Sequence, residues 1–581
     1  MTTSRRRALG AGIAATALAA FVAGTPSIAG AAPAKGNPNL TTVQLLSFND
    51  FHGHLEASDP PLSKTLDPSQ TAVGGAEYLA TTLKGLRAKA PGGASLTVAA
   101  GDLIGGSPFL SGLFHDEPSV EALNALGLDV SSVGNHEFDE GTTELLRMQK
   151  GGCHPVDGCY FPDAPYAGAD FPWLAANVVK KDGSGTLLPG TWVKSVGGTK
   201  VGFIGMTLEG TPSLVDPAGV ASVDFKDEVQ TANAQAAALK KQGVKSIVVL
   251  LHEGGVNAGT YQQCVGVSDP ILTIAKTMTP EVDAIITGHT HQPYVCHIPD
   301  PAGNPRLVTS AASYGQVVTE TDLVINTRSG EVMRDRSTAT NHLVARTVAK
   351  DATQTGIIAK WNALSGALGN RVVGTNDEDI LGDSNGNRGI ETPMGDLVAD
   401  AMLWGTQAPA NGGAQIAFMN IGGVRASLPY APAPSGTEGP GQITYKEAYA
   451  VAPFGNLLVT MDMTGQQIVD VLNQQYITGR STGRNALALG VSNGFSYTWD
   501  ASRPEGDRVV PSSLSLDGAA MSLTATYRVA TINFLANGGD DFKAFTAGTN
   551  LLGGAEDLAN LVAYFEANPH LTSPADRVSG L

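Results

Sequence analysis

The chain has 581 residues, 54 acidic against 37 basic side chains and a formal charge of −17, with 70 glycines and few aromatics. That acidity excludes a surface built to grip nucleic-acid polymers or anionic membranes, which require clustered lysine and arginine. The length exceeds what one hydrophobic core organises and implies two or three domains.

Residues 1–34 read as an export signal. Ser4-Arg5-Arg6-Arg7 is basic, Leu9 to Ala23 is small and apolar, and Ala29-Gly30-Ala31 and Ala32-Pro33-Ala34 are small-residue cleavage sites. The Ser-Arg-Arg opening resembles a twin-arginine signal, with Ala8 where an aromatic is usual. The apolar stretch is short for a span, and no later segment is apolar enough to cross a bilayer. The expectation is a secreted protein with no stable membrane anchor. Cleavage removes three arginines and no acid, moving the charge from −17 to −20. A small anionic substrate stays compatible with that charge, because bound metal ions reverse the local field.

Five apolar runs then end in polar side chains. Residues 43–50, VQLLSFND, end at Asp50, with His52 following, and residues 95–102, SLTVAAGD, end at Asp102. Leu128 to Val133 leads into GNHEFDEG, with Asn135, His136 and Asp139. Residues 246–253, SIVVLLHE, carry His252, and residues 284–291, AIITGHTH, carry His289 and His291. Helical candidates lie between them at Ala76 to Ala90, Ser119 to Leu126 and Asp227 to Gln242. Apolar strands alternating with helices indicate a layered α/β domain with buried sheets. In such sheets ligands bind at the carboxyl ends of the strands.

Cys153, Cys159, Cys264 and Cys296 are an even set in an exported chain, which favours disulfides. Three pairings are possible. Cys153 with Cys159 would close a short loop and leave Cys264 with Cys296; the spacing does not suit paired zinc knuckles. Residues 341–369 have helical spacing without proline and read as a helical linker. A second region follows, with a helix over Met394 to Trp404, strands and glycine-rich loops.

Five of the 11 histidines lie at the strand ends. Together with Asp50, Asp102 and Asn135 they offer imidazole, carboxylate and amide-oxygen ligands, a set that suits divalent ions of the Zn, Mn, Fe or Co type. Each short motif alone is an ordinary polar loop; the ordered series is not.

DFHGH, GDLIGGSP, GNHEFDEG, LHEGG and TGHTH, in that order, resemble the motif series of the calcineurin-like metallophosphatases. The match is closest to exported 5′-nucleotidases and UDP-sugar hydrolases. The resemblance implies a four-layered αββα sandwich over residues 35–340 and a second, α+β substrate-binding domain over 370–581. It implies two divalent metal ions, one held by Asp50, His52, Asp102 and His291, the other by Asp102, Asn135, His252 and His289. Two such cations activate water and clamp the attacking and leaving oxygens of a phosphoryl group. His136 would serve the leaving oxygen, with Asp139 orienting its ring.

In the second region NIGGVR, APFGN and NFLANGGDDF resemble the 5′-nucleotidase substrate domain. Phe454 and Phe534 match the two positions that stack on a base. Asp540 matches a ribose-binding position, Asn456 one near the base, and Arg388 and Arg425 cationic positions at the phosphate or ribose end, with Asn420 beside Arg425. The implied activity is release of 5′-phosphate from nucleotides. Cleavage of 2′,3′-cyclic nucleotides or UDP-sugars at the same centre is the alternative, and a non-catalytic nucleotide-binding surface protein the remote one.

Overall fold

The computed structural model describes residues 39–215, 219–382, 387–432, 438–480 and 484–581. The export signal read over residues 1–34 lies outside the described residues.

Two six-stranded sheets form the first half. In the first, Leu40–Phe48, Ser95–Ala100, Val130–Ser132 and Trp173–Leu174 run parallel. Val317–Asn326 pairs antiparallel with Leu40–Phe48, and Thr338–Leu343 closes that edge. In the second, Thr199–Thr207, Ser246–His252, Ala284–Thr287 and Pro305–Ser310 are parallel, with antiparallel strands at both edges.

Successive strand residues face opposite sides of a sheet, and both sides here are covered. Val43, Leu45, Leu96, Val98, Val248 and Leu250 interdigitate between the sheets. Leu46, Phe48 and Ala99 point outward into a core shared with the helices Ala76–Arg87 and Glu117–Leu126. Ile247, Val249 and Leu251 do the same beneath the helices Glu228–Lys241 and Ile271–Thr277. The result is the helix–sheet–sheet–helix sandwich that the family resemblance implies, with both sheets buried as the strands' unbroken apolar runs indicate.

The second half has its own core around a mixed five-stranded sheet, ordered Leu489–Val491, Ile416–Asn420, Thr526–Ile532, Leu457–Thr464 and Thr549–Glu556. The helices Pro393–Thr406 and Asp557–Ala567 pack on it. The region read as a helical linker differs in its first part. Asn341 to Leu343 belong to the edge strand of the first sheet, where backbone pairing with Val317–Thr319 overrides helical spacing. The helix starts at Ala352, where the Asp351 carboxylate accepts the amides of Thr353 and Gln354. It is fastened to the first half, with Ile357 and Trp361 in that core. The Gln354 amide donates to Ala122 O at 3.0 Å, and Trp361 Nε1 to Glu121 at 2.8 Å.

Disulfides join Cys153 to Cys159 and Cys264 to Cys296. Among the described residues no helix is long and apolar enough to cross a membrane.

Leu250 is fully buried between the sheets. Leu250→Ala is expected to destabilise the chain by about 2–5 kcal/mol through lost burial and the residual cavity, seen as a lower denaturant midpoint with unchanged slope.

Candidate metal centre

The carboxyl ends of parallel strands from both sheets meet at one rim. Asp50 and His52 sit in the turn after Leu40–Phe48, Asp102 follows Gly101, and Asn135 and His136 follow the short strand Val130–Ser132. His252 is the last residue of its strand, and His289 and His291 come just after Ala284–Thr287.

Their ligand atoms form overlapping groups: Asp50, His52 and His291; His52, Asp102 and His136; Asp102, His252 and His289. Asp102 Oδ2 lies 2.9 Å from His252 Nε2 and 3.6 Å from His52 Nε2. Asp50 Oδ1 lies 3.3 Å from His291 Nε2, and Asn135 Oδ1 is 3.0 Å from His289 Nδ1. All seven residues expected as ligands are thus brought together.

The backbone is bent to achieve this. Asp50, His52, Asp102, His289 and His291 all have positive φ, between 44° and 70°. Such conformations cost non-glycine residues of order 1–3 kcal/mol each and persist where surrounding contacts over-determine them. Here the Asp50 amide donates to Gly101 O and the His52 amide to Asp102 O, both at 3.0 Å. Glycine is required at two of the turns. A Cβ on Gly134 would collide with the Asp102 carboxylate and the His252 ring, and one on Gly288 would lie 2.9 Å from His252 Nδ1.

The histidines are preset as ligands. His52 Nδ1 faces Gly105 O and His252 Nδ1 faces Ala100 O, both at 2.7 Å. A carbonyl can only accept, so these nitrogens carry protons and each Nε2 is the atom turned toward the carboxylates of the rim. His52 Nε2 is buried without a hydrogen-bond partner, as expected of an atom aimed at a cation, and His252 Nε2 faces the Asp102 carboxylate at 2.9 Å. Burial drives His52 well below its ordinary pKa and His289 to about 3. Burial also opposes charge on His252, but Asp102 and Asp50 outweigh it and lift that ring to about 10. The oxygen and imidazole donors fit divalent metal ions.

His136 stands beside this group. Its amide donates to Asp102 Oδ1 and its Nδ1 meets Asp139 Oδ2, each at 2.8 Å. Burial works against a charged ring, yet Asp139 and Asp102 hold its pKa above the ordinary value.

Glu137 was passed over in the sequence. Its carboxylate accepts the backbone amides of Asp102 at 2.9 Å, Leu103 at 2.7 Å and Gly134, tying two ligand-bearing turns together. Tyr314 was missed as well: its ring stands edge-on to His52 and His291 and stacks on His54 at 3.8 Å. No local motif marks it; only its fold places it there.

The second half contributes unequally. The Phe454 ring lies 6.0 Å from the His136 ring at 18°, and the Arg425 guanidinium is 5.6 Å from the Phe454 centroid. Asn420 Nδ2 donates to Asp540 Oδ2 at 2.9 Å. Burial, then Arg425 and Arg484, push Arg388 down to about 9. Arg480, also unforeseen, donates to Asp540 O. Asn456 is engaged in its own domain, bonded to Asp557 at 3.2 Å. Phe534 packs over Gly539 and makes no ring contact with Phe454 among the described residues.

Residues 44–293 match the family model for calcineurin-like phosphoesterases, and residues 372–547 that for the 5′-nucleotidase C-terminal domain. The chain belongs to the calcineurin-like phosphoesterases that carry a 5′-nucleotidase C-terminal domain. This is a family of metal-dependent phosphoester hydrolases. Endonuclease YhcR of Bacillus subtilis is 31% identical over 530 residues, 90% of this chain and 40% of that protein. Cell wall protein Lmo0130 of Listeria monocytogenes is 33% identical over 527 residues, 87% of this chain and 64% of that protein. The chain therefore spans less than two thirds of either relative. The crystal structure of a 5′-nucleotidase precursor from Thermus thermophilus superposes with a TM-score of 0.72 at 28% identity, covering 93% of this chain and 99% of that one.

Glu137→Ala should loosen the Asp102 and Gly134 turns and weaken divalent-ion affinity about 10–100-fold, the usual effect of losing an outer support. Metal titration of the folded variant measures it.

Proposed function

We propose that this phosphoesterase is an exported hydrolase that removes the 5′-phosphate from nucleotides at a two-metal centre. The observation that carries the reading is Phe454 of the second half lying 6.0 Å from His136, so that an aromatic platform adjoins the Asp/His rim.

In this reading Asp50, His52, Asp102 and His291 would hold one cation, and Asp102, Asn135, His252 and His289 would hold the other. Divalent ions of the Zn, Mn or Co type supply an activated water and offset charge on the phosphoryl oxygens. The chain's own residues do the rest. His136, whose affinity for a proton Asp139 and Asp102 raise against the effect of burial, donates a proton to the leaving ribose oxygen. Arg425 and Arg388 draw in the phosphate or ribose end. Asp540, positioned by Asn420, accepts ribose hydroxyls, and Phe454 with Phe534 stacks on the base, Asn456 lying at its edge. The basic start and apolar core of residues 1–34 support export, as does the kinship to a cell wall protein.

His136→Ala is expected to retain its metal yet lose about 10²–10⁴ in kcat on AMP; a wild-type rate would refute the dyad. Phe454→Ala should raise KM with little change in metal content, since a base stack is worth about 1–3 kcal/mol. A panel of 5′-mononucleotides, 2′,3′-cyclic nucleotides, UDP-sugars and single-stranded DNA tests the substrate class. The expected order puts 5′-mononucleotides first and DNA last, because a chain of charge −17 repels a polyanion. Absence of phosphate release with every divalent ion would instead leave a nucleotide-binding protein.

A further inference from the structure

Five strand ends supply the expected ligands, and a sixth supplies Tyr314. The strand Pro305–Ser310 runs parallel to Ala284–Thr287, so its carboxyl end reaches the same rim. The turn that follows it, residues 311–315, carries Tyr314 beside His52 and His291.

That turn is held against its local preference. Ala312 and Tyr314 have φ of 57° and 58°, and for a side chain as bulky as tyrosine this is an outlier that persists only where other contacts impose it. Asn49 imposes part of it: its Oδ1 accepts the Ala311 amide at 2.8 Å, and its Nδ2 donates to Ala312 O at 2.6 Å. The Tyr314 amide donates to Asp50 O at 2.7 Å. Asn49 Nδ2 also reaches Asp50 Oδ2 at 2.6 Å, so the segment that places an expected ligand places the tyrosine too.

The ring is braced as firmly as the backbone. It stands edge-on to His52 at 6.0 Å and to His291 at 5.3 Å, and it stacks on His54 at 3.8 Å and 17°. His54 is in turn fixed by Asp59, Nδ1 to Oδ1 2.8 Å. The hydroxyl, by contrast, makes no hydrogen bond among the described residues. The charged groups that act on it are Asp59 and Asp50 from the first half and Arg425 and Arg388 from the second. It therefore lies on the side of the rim that the second half faces.

Rings follow one another around this mouth. Phe454 is 6.0 Å from His136, His136 is 5.0 Å from His52, and His52 is 6.0 Å from Tyr314. The Arg425 charge acts on both His136 and Tyr314. A phosphoryl group drawn in by Arg425 and presented to His136 is bordered by Tyr314 as well.

We propose that Tyr314 is a further substrate-binding residue, its hydroxyl donating a hydrogen bond to a phosphoryl oxygen on the His291 side of the rim. The assignment rests on the reading that the phosphoester binds at the rim. A phenol, with an ordinary pKa of about 10, carries its proton at neutral pH and donates to an anion without adding charge.

Tyr314→Phe removes the hydroxyl and keeps the ring. Metal content should match wild type, while kcat/KM on AMP should fall about 10–100-fold, the usual worth of a hydrogen bond to a charged group. Inhibition by inorganic phosphate should weaken by a similar factor, and inhibition by adenosine, which has no phosphoryl group, should not change. Unaltered phosphate inhibition, or a loss of metal from the variant, would overturn the assignment and leave Tyr314 as packing for His52 and His291. If wild type releases no phosphate from AMP, the nucleotidase reading fails separately. Calorimetric titration of inorganic phosphate into both proteins, each reconstituted with Mn²⁺, then decides the role of Tyr314: weaker binding by the variant supports it, and equal binding, or none by wild type, overturns it.

Discussion

The buried carboxylate of Asp102 is the point on which the rim turns. It faces His52 from its own sheet and His252 from the other, and it accepts the His136 amide. One side chain therefore joins two sheets and the loop that carries the proposed acid. A buried charge is tolerated only with compensating partners, and here these are imidazoles on neighbouring strand ends. The close approach is allowed because Gly134 and Gly288 offer no Cβ to obstruct it.

The sandwich around this point is a device for registering strand ends. Leu45, Val98, Val248 and Leu250 lock the sheets face to face, so the relative height of Asp102 and His252 is set by apolar packing rather than by the polar groups themselves. The strain of five left-handed residues is borne by that rigid support. Glu137 extends the same logic into the loops, since three backbone amides converge on one carboxylate.

The second half meets the rim through few residues. Phe109 of the first half inserts into the second core and stands edge-on to Tyr445 and Tyr449. The helix Ala352–Gly369 is fastened to the first half along Ile357 and Trp361, so the chain passes between domains at its C-terminal end. Phe454 and Arg425 then reach the mouth of the centre from a separate core.

Much of this was legible in the chain itself. Strands buried on both faces must be apolar throughout, so VQLLSF, SLTVAA and SIVVLL announce parallel sheets, and the polar residues that end them announce the rim. Helical spacing, by contrast, misled at Asn341 to Leu343, because pairing with a distant strand outweighs local periodicity. The roles of Glu137 and Tyr314 carry no local signal, since Asp102 and Leu103, or His52 and His291, lie far from them in the chain. Sequence alone determined which side chains end each strand and hence the chemistry on offer, because burial dictates composition one residue at a time. Only the tertiary structure decided which nitrogen of each histidine faces inward and which loops share a carboxylate, because those depend on distances between segments far apart in the chain.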